Sequence, residues 1–168
     1  MNGTPLARRV VPIIVGLVLA CASVAGAGEP PAGEASVGIE GEFLAMLNGT
    51  RVAAGLAPLE LEDGLVRFAR GHTREMMDRG DLFHSEKGTR VAVAPAGWRR
   101  LGENVGVGST PERLHASFMS SPGHRDNILG DYSGVAIGAA RATDGQLYVT
   151  VVFVKRANPP QTRLAMKN

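Results

Sequence analysis

Cysteine is almost absent from this chain: Cys21 is the only one in 168 residues. A lone thiol has no partner, so a disulfide framework within the chain is excluded. Aromatic residues are scarce as well, at 5%, and a core must be built from Leu, Val, Ile, Ala and Met. No apolar run reaches the roughly 20 residues that a membrane-spanning helix needs; Val10 to Ala20 stops well short. Neither sign of charge dominates. The formal net charge is +2, Arg8 and Arg9 account for it, and from Glu29 onward acids and bases balance. No basic footprint for nucleic acid or an anionic membrane is left.

What is present begins with a targeting pattern. Arg8-Arg9 precede the apolar run, small residues follow it, and Ala25-Gly26-Ala27 offers a cleavage site before Gly28. This predicts a signal peptide over residues 1–27 and an exported protein, secreted or periplasmic, with no integral span after cleavage. The alternatives are a retained anchor and, as a minor one, a lipoprotein attached through Cys21, for which Leu19 is a large residue in its box. Residues 28–37, rich in Pro, Gly and Glu, read as a flexible leader. Asn158-Pro159-Pro160 stops regular structure and opens a C-terminal tail over 158–168. The folded domain is expected over 38–157.

Hydrophobic periodicity divides that domain in two. Residues 40–54 read as a helix with Phe43, Leu44, Leu47 and Val52 on its apolar face and Gly55 as its stop. Asn48-Gly49-Thr50 matches a glycosylation sequon but falls inside this helix. Residues 62–79 make a stronger helix, with Leu65, Phe68, Ala69, His72 and Met76 at three- and four-residue steps and Gly80 closing it. His72 on that stripe reads as a core-edge imidazole with a hydrogen-bond partner. Residues 81–108 show no sustained period and read as a long irregular connection. A third helix starts near Ser109-Thr110-Pro111-Glu112, capped by Ser109 in a capping box with Glu112 or by Thr110 ahead of Pro111. Leu114 and Phe118 face inward and His115 faces water. In FMSSPGHRDNILG, Ser121 caps a short helix, Pro122 opens it and His124 follows in the first turn, where exposed N–H groups favour a neutral imidazole. Arg125, Asp126 and Asn127 read as short-range partners that orient this loop. The C-terminal part changes to period two: 134–141 and 146–156 read as strands joined at Asp144-Gly145. Val149 to Val154 is nearly all apolar, as a strand covered on both faces would be. Helices first and strands last give an α+β, layered α-β-α expectation.

Four blocks carry a resemblance to a known family. They are Leu47-Asn48 with Arg51, Gly55 and Leu59; Leu82-Phe83-His84-Ser85; Gly102-Glu103-Asn104; and Ser121-Pro122-Gly123-His124-Arg125 with Asn127-Ile128-Leu129. In this order they resemble the CAP superfamily, or SCP domain: cysteine-rich secretory, antigen 5 and pathogenesis-related proteins, in its bacterial secreted form. The resemblance implies a three-layer α-β-α sandwich of CAP type, helices packed on a mostly antiparallel sheet, with a central cleft. It places His84 and His124 at the family's two histidine positions and Glu103 at one acidic position. At the second acidic position, three residues after Phe118, this chain has Ser121.

Several chemistries remain open for that set. His84, Glu103 and His124 could hold a divalent metal such as zinc with one position free, although no cofactor is required. Glu103 could instead tie the irregular segment to the helices through hydrogen bonds, with His84 as a natural partner. Ser121, His124 and Glu103 could form a hydrolytic set, although no G-x-S-x-G elbow accompanies Ser121. Asp126 is a candidate for the lost acid. The family is associated with lipids, other small hydrophobic ligands and cell-surface proteins, and Met46, Met76, Met77 and Met119 could line a groove for them. The reading is a binding module more than an enzyme, with no nucleic-acid partner.

Overall fold

The computed structural model describes residues 37–157. The signal-peptide, lipoprotein and tail expectations, and almost all of the leader, lie outside them. The elements run α1 (Val37–Ala53), β1 (Glu60–Leu61), α2 (Asp63–Arg79), α3 (Lys87–Val93), β2 (Trp98–Gly108), α4 (Pro111–Ser120), α5 (Pro122–Ile128), β3 (Gly134–Arg141) and β4 (Leu147–Arg156). The sheet order is β1-β3-β4-β2. β3 pairs with β4, and β4 with β2, antiparallel; the two-residue β1 pairs parallel with β3.

Strand alternation sorts the core onto two faces. Val135, Ile137 and Ala139 of β3 and Val149, Val151 and Phe153 of β4 point to one side. There they cluster with Phe43 and Leu47 of α1, Leu114 and Phe118 of α4, and Ile128 of α5. Ala136, Val152 and Val154 point to the other side, against Leu65 and Ala69 of α2. Tyr148 and Val105 meet Met76 further along α2. The central strand is thus covered on both faces, as its unbroken apolar run requires, and the layers are α-β-α.

The helices depart from the expected pattern at informative points. The buried line of α1 is Glu40, Phe43, Leu47 and Arg51; Val52 is turned outward at 60% exposure. Arg51 takes the interior place because its guanidinium donates to the carbonyls of Ala57, Ile128, Gly130 and Tyr132 at 2.8–3.2 Å. Burial lowers its pKa, yet four carbonyl acceptors stand in for lost water. Asn48 donates to the Leu59 carbonyl and accepts from the Leu59 N–H, so its amide is committed to the fold. The four methionines line no common groove: Met46 and Met119 pack on one core cluster, Met76 and Met77 on another across the sheet. Thr110, ahead of Pro111, is the cap of α4, accepting from the Arg113 N–H at 3.3 Å.

The largest correction concerns 81–108. Its second half is β2, an eleven-residue edge strand paired with β4 almost throughout. Glycine hid it from periodicity analysis, and packing explains the glycine. A Cβ on Gly106 would sit 2.7 Å from both Leu114 and Phe118, and one on Gly102 2.8 Å from Asn127. The helices of one layer lie directly on these residues.

Candidate functional site

The site grows from the edge strand. In register, Glu103 lies opposite Val152 and Asn104 opposite Val151. Adjacent residues of one strand therefore point to opposite faces: Glu103 toward the α2 and α3 side, Asn104 toward α5.

Glu103 is enclosed, with a side chain only 2% exposed. Its Oε1 accepts from His84 Nδ1 at 2.8 Å, from the Ser85 N–H at 3.0 Å and from Arg90 Nη1 at 3.1 Å. Its Oε2 accepts from the Ser85 hydroxyl. A buried carboxylate is tolerated when charged and neutral donors surround it in this way. Since a carboxylate only accepts, Nδ1 of His84 carries the hydrogen and Nε2 is the free ring nitrogen. The His84 side chain is 59% exposed.

His124 occupies the first turn of α5, and its ring packs on Phe118 with centroids 4.8 Å apart. Burial lowers its pKa, and the charge of His84 pushes it the same way. The expected direction holds, with burial rather than the helix field as the leading cause. Among the described residues His124 makes no hydrogen bond to His84 or Glu103. Its link to the strand is through its backbone: Asn104 Nδ2 donates to the His124 carbonyl at 3.0 Å. Asn127 completes the strap, donating to the Glu103 carbonyl at 3.1 Å and to Asn104 Oδ1 at 2.8 Å.

His84 and Glu103 are therefore brought together as expected, while His124 is a neighbour rather than a partner. Among the described residues no three His, Cys, Asp or Glu side chains form a group able to hold an ion. Both Glu103 oxygens are engaged, and a guanidinium already supplies the cation. Ser121 ends α4 and begins α5 at once, and its side chain makes no cap bond, contrary to the expected capping role. Its N–H and carbonyl stay in the two helices' backbone bonding, and its hydroxyl bonds neither His124 nor Glu103. Asp126 is exposed and makes no hydrogen bond to Glu103 or to either imidazole. His72 is structural, its Nε2 lying 2.9 Å from the Phe83 carbonyl. His115 does not face water freely: Thr50 Oγ1 is 3.2 Å from its Nε2, and burial lowers its pKa.

Arg90 is the participant that sequence reasoning missed. It lies in a short helix without an apolar stripe, and nothing local marks it. Asn127 is not the short-range partner its neighbours suggest: it acts over 23 and 24 residues. Beside His84, a cleft of about 660 Å³ opens between α2 and α3, lined by Phe68, His72, Phe83, His84, Glu86 and Thr89 among others.

A family model described as cysteine-rich secretory protein family, CAP, matches residues 44–153. Among curated relatives, the uncharacterized protein YkwD of Bacillus subtilis is 28% identical over 106 residues, 59% of this chain and 41% of its own length. The uncharacterized membrane protein YlbC of the same organism is 28% identical over 125 residues, 70% of this chain and 34% of its own length. The chain thus spans well under half of these relatives. Among solved structures, an outer surface protein of Borrelia burgdorferi superimposes with a TM-score of 0.66 at 18% identity, over 74% of this chain and 98% of that one. An extracellular protein containing an SCP domain from Bacillus anthracis gives 0.61 at 23% identity, over 71% of this chain and 41% of that one. A cysteine-rich secretory protein from Staphylococcus aureus gives 0.58 at 20% identity, over 71% and 39%. At these identities the structural likeness speaks to the fold.

Proposed function

The chain belongs to the cysteine-rich secretory protein (CAP) family, and from that premise we propose that it is an extracytoplasmic module that binds a small hydrophobic or lipid ligand in the cleft bordered by His84. The carrying observation is the engagement of Glu103. Its two oxygens are held by His84, Ser85 and Arg90, an arrangement that leaves Glu103 unavailable to His124. A hydrolytic Ser121–His124–Glu103 set would need Glu103 to leave these donors and meet His124 around the edge of β2.

The cleft offers two aromatic side chains to an apolar ligand within an otherwise largely polar lining that includes Arg67, Glu75, Arg79 and Glu86. Phe68 and Phe83 are half-buried in it. The rings of Phe68 and His72 lie parallel at 6.4 Å, and Phe83 meets His72 edge-on at 5.1 Å. About 660 Å³ falls within the range of roughly 300–1,000 Å³ typical of small-molecule sites. Among the described residues His84 Nε2 on the rim has no protein partner and can bond a ligand hydroxyl. Export is supported by the predicted signal peptide and by structural relatives described as outer-surface and extracellular; among the described residues no helix is long and apolar enough to cross a membrane.

The test is lipid capture. Purified protein is incubated with a total lipid extract, re-isolated, and its bound lipid measured by mass spectrometry. The parent and His124→Ala should retain lipid, while Phe83→Asp should lose it about tenfold or more. Ester or peptide hydrolysis by the parent that disappears in Ser121→Ala would overturn the reading in favour of catalysis.

A further inference from the structure

The wall of the cleft formed by α3 is unlike any other helix of the fold. It buries no residue. Val91 and Val93 are 39% and 38% exposed, and Leu82 just ahead of it is 44% exposed. Its capping backbone bonds are internal, Arg90 N–H to the Glu86 carbonyl and Ala94 N–H to the Val91 carbonyl. Among the described residues Arg90 alone carries side-chain hydrogen bonds from α3 to anything outside it. Nη1 donates to the Ser85 carbonyl, to Ser85 Oγ at 2.8 Å and to Glu103 Oε1 at 3.1 Å. Ser85 is itself pinned to Glu103, so the segment is firm at its N-terminal end. At its far end the chain turns through Gly97, whose φ of +75° is open to glycine at no steric cost.

We propose that α3 is a lid on the α2–α3 cleft, latched by Arg90 to Glu103. Opening breaks the Arg90 bonds and exposes little new apolar surface, because α3 buries none. It moves Glu86 and Thr89 away from the wall they form with Phe68 and Phe83 and widens the entrance beside His84. Glu103 keeps Ser85 and His84 as donors throughout, so the strand and residues 84 and 85 stay in place while α3 moves. This rests on the binding reading for its purpose, but the motion itself is tested without a ligand.

The experiment is native-state hydrogen exchange on the parent, Arg90→Gln and Arg90→Lys. In the parent, amides within α3 should exchange by local opening, far faster than those of β4 and α2. Arg90→Gln should speed α3 exchange about tenfold or more, the effect of losing hydrogen bonds from a charged donor, and leave β4 unchanged. Arg90→Lys, which keeps the charge with a less suited donor geometry, should lie between the two. Exchange of α3 at the same rate as β4 in the parent would overturn the lid, and this holds even if Arg90→Gln does not fold. An unchanged α3 rate in a folded Arg90→Gln would overturn the latch. Failure of the parent to capture lipid, with α3 exchanging as expected, would remove the ligand reading and leave the motion standing.

Discussion

The two faces of the sheet are built to different plans. On one face α1, α4 and α5 together bury Phe43, Leu47, Leu114, Phe118 and Ile128 against β3 and β4. On the other, α2 alone makes the apolar contact, and α3 lies beside it, buried nowhere. A side packed by three helices has few ways to move, because each helix is braced by its neighbours. A side covered by one helix and a tethered strip can open at the strip while the helix stays seated. The candidate cleft lies on the second side, so stability and access are carried by different layers.

The largest expected effect breaks the braced face. Phe118 is 2% exposed, lies edge-on to Phe43 at 6.0 Å and supports the His124 ring. Phe118→Ala should destabilise the fold by about 3–5 kcal/mol, read as a shift in the urea midpoint with the slope unchanged. A loss under about 1 kcal/mol would mean that this face is not the stability reservoir. A smaller effect is expected on the other face, where α2 runs so near β3 that a Cβ on Gly138 would overlap the backbone of Ala69 and Arg70. Gly138→Ala should cost about 1–3 kcal/mol by the same measurement, and it should accelerate exchange in α2 before α4. Equal acceleration of both helices would erase the distinction between the faces.

What was legible followed local period rather than face. The strand pair at the C-terminus and the long α2 announce themselves by period, and Gly80 ends α2 in the left-handed conformation. The doubly covered β4 follows directly from Val149 to Val154. β2 was illegible because its helix-packed face carries glycine where helices press on it, and β1 because two residues carry no period. At the site, His84 and Glu103 could be named together only through the family blocks, since nineteen residues separate them. Arg90 could not be named at all: a bond to a carboxylate thirteen residues away leaves no trace in local composition. Arg51 was visible as part of a block, but its burial among four carbonyls reverses what a charged helix residue ordinarily does.

His124 stands where the two plans meet, packed on Phe118 of the braced face yet within reach of the charge of His84. Its pKa is held below the ordinary value of 6.5 by burial first and by His84 second; burial acts on His115 in the same direction. A base whose folded pKa is depressed is protonated more readily in the unfolded chain. Stability should therefore be flat above about pH 7, where both forms are neutral, and should fall as pH drops from there through the folded-state values. Partial exposure to solvent keeps the effect the smallest of those considered. Urea unfolding at pH 7 and pH 5.5 should show a decline in the parent that is reduced in His124→Gln and reduced further in His115→Gln/His124→Gln. If His84→Gln also reduces the decline, the two imidazoles are coupled around the edge of β2 and the two faces communicate there. If His84→Gln leaves it unchanged, burial against Phe118 accounts for the whole effect and the faces titrate independently.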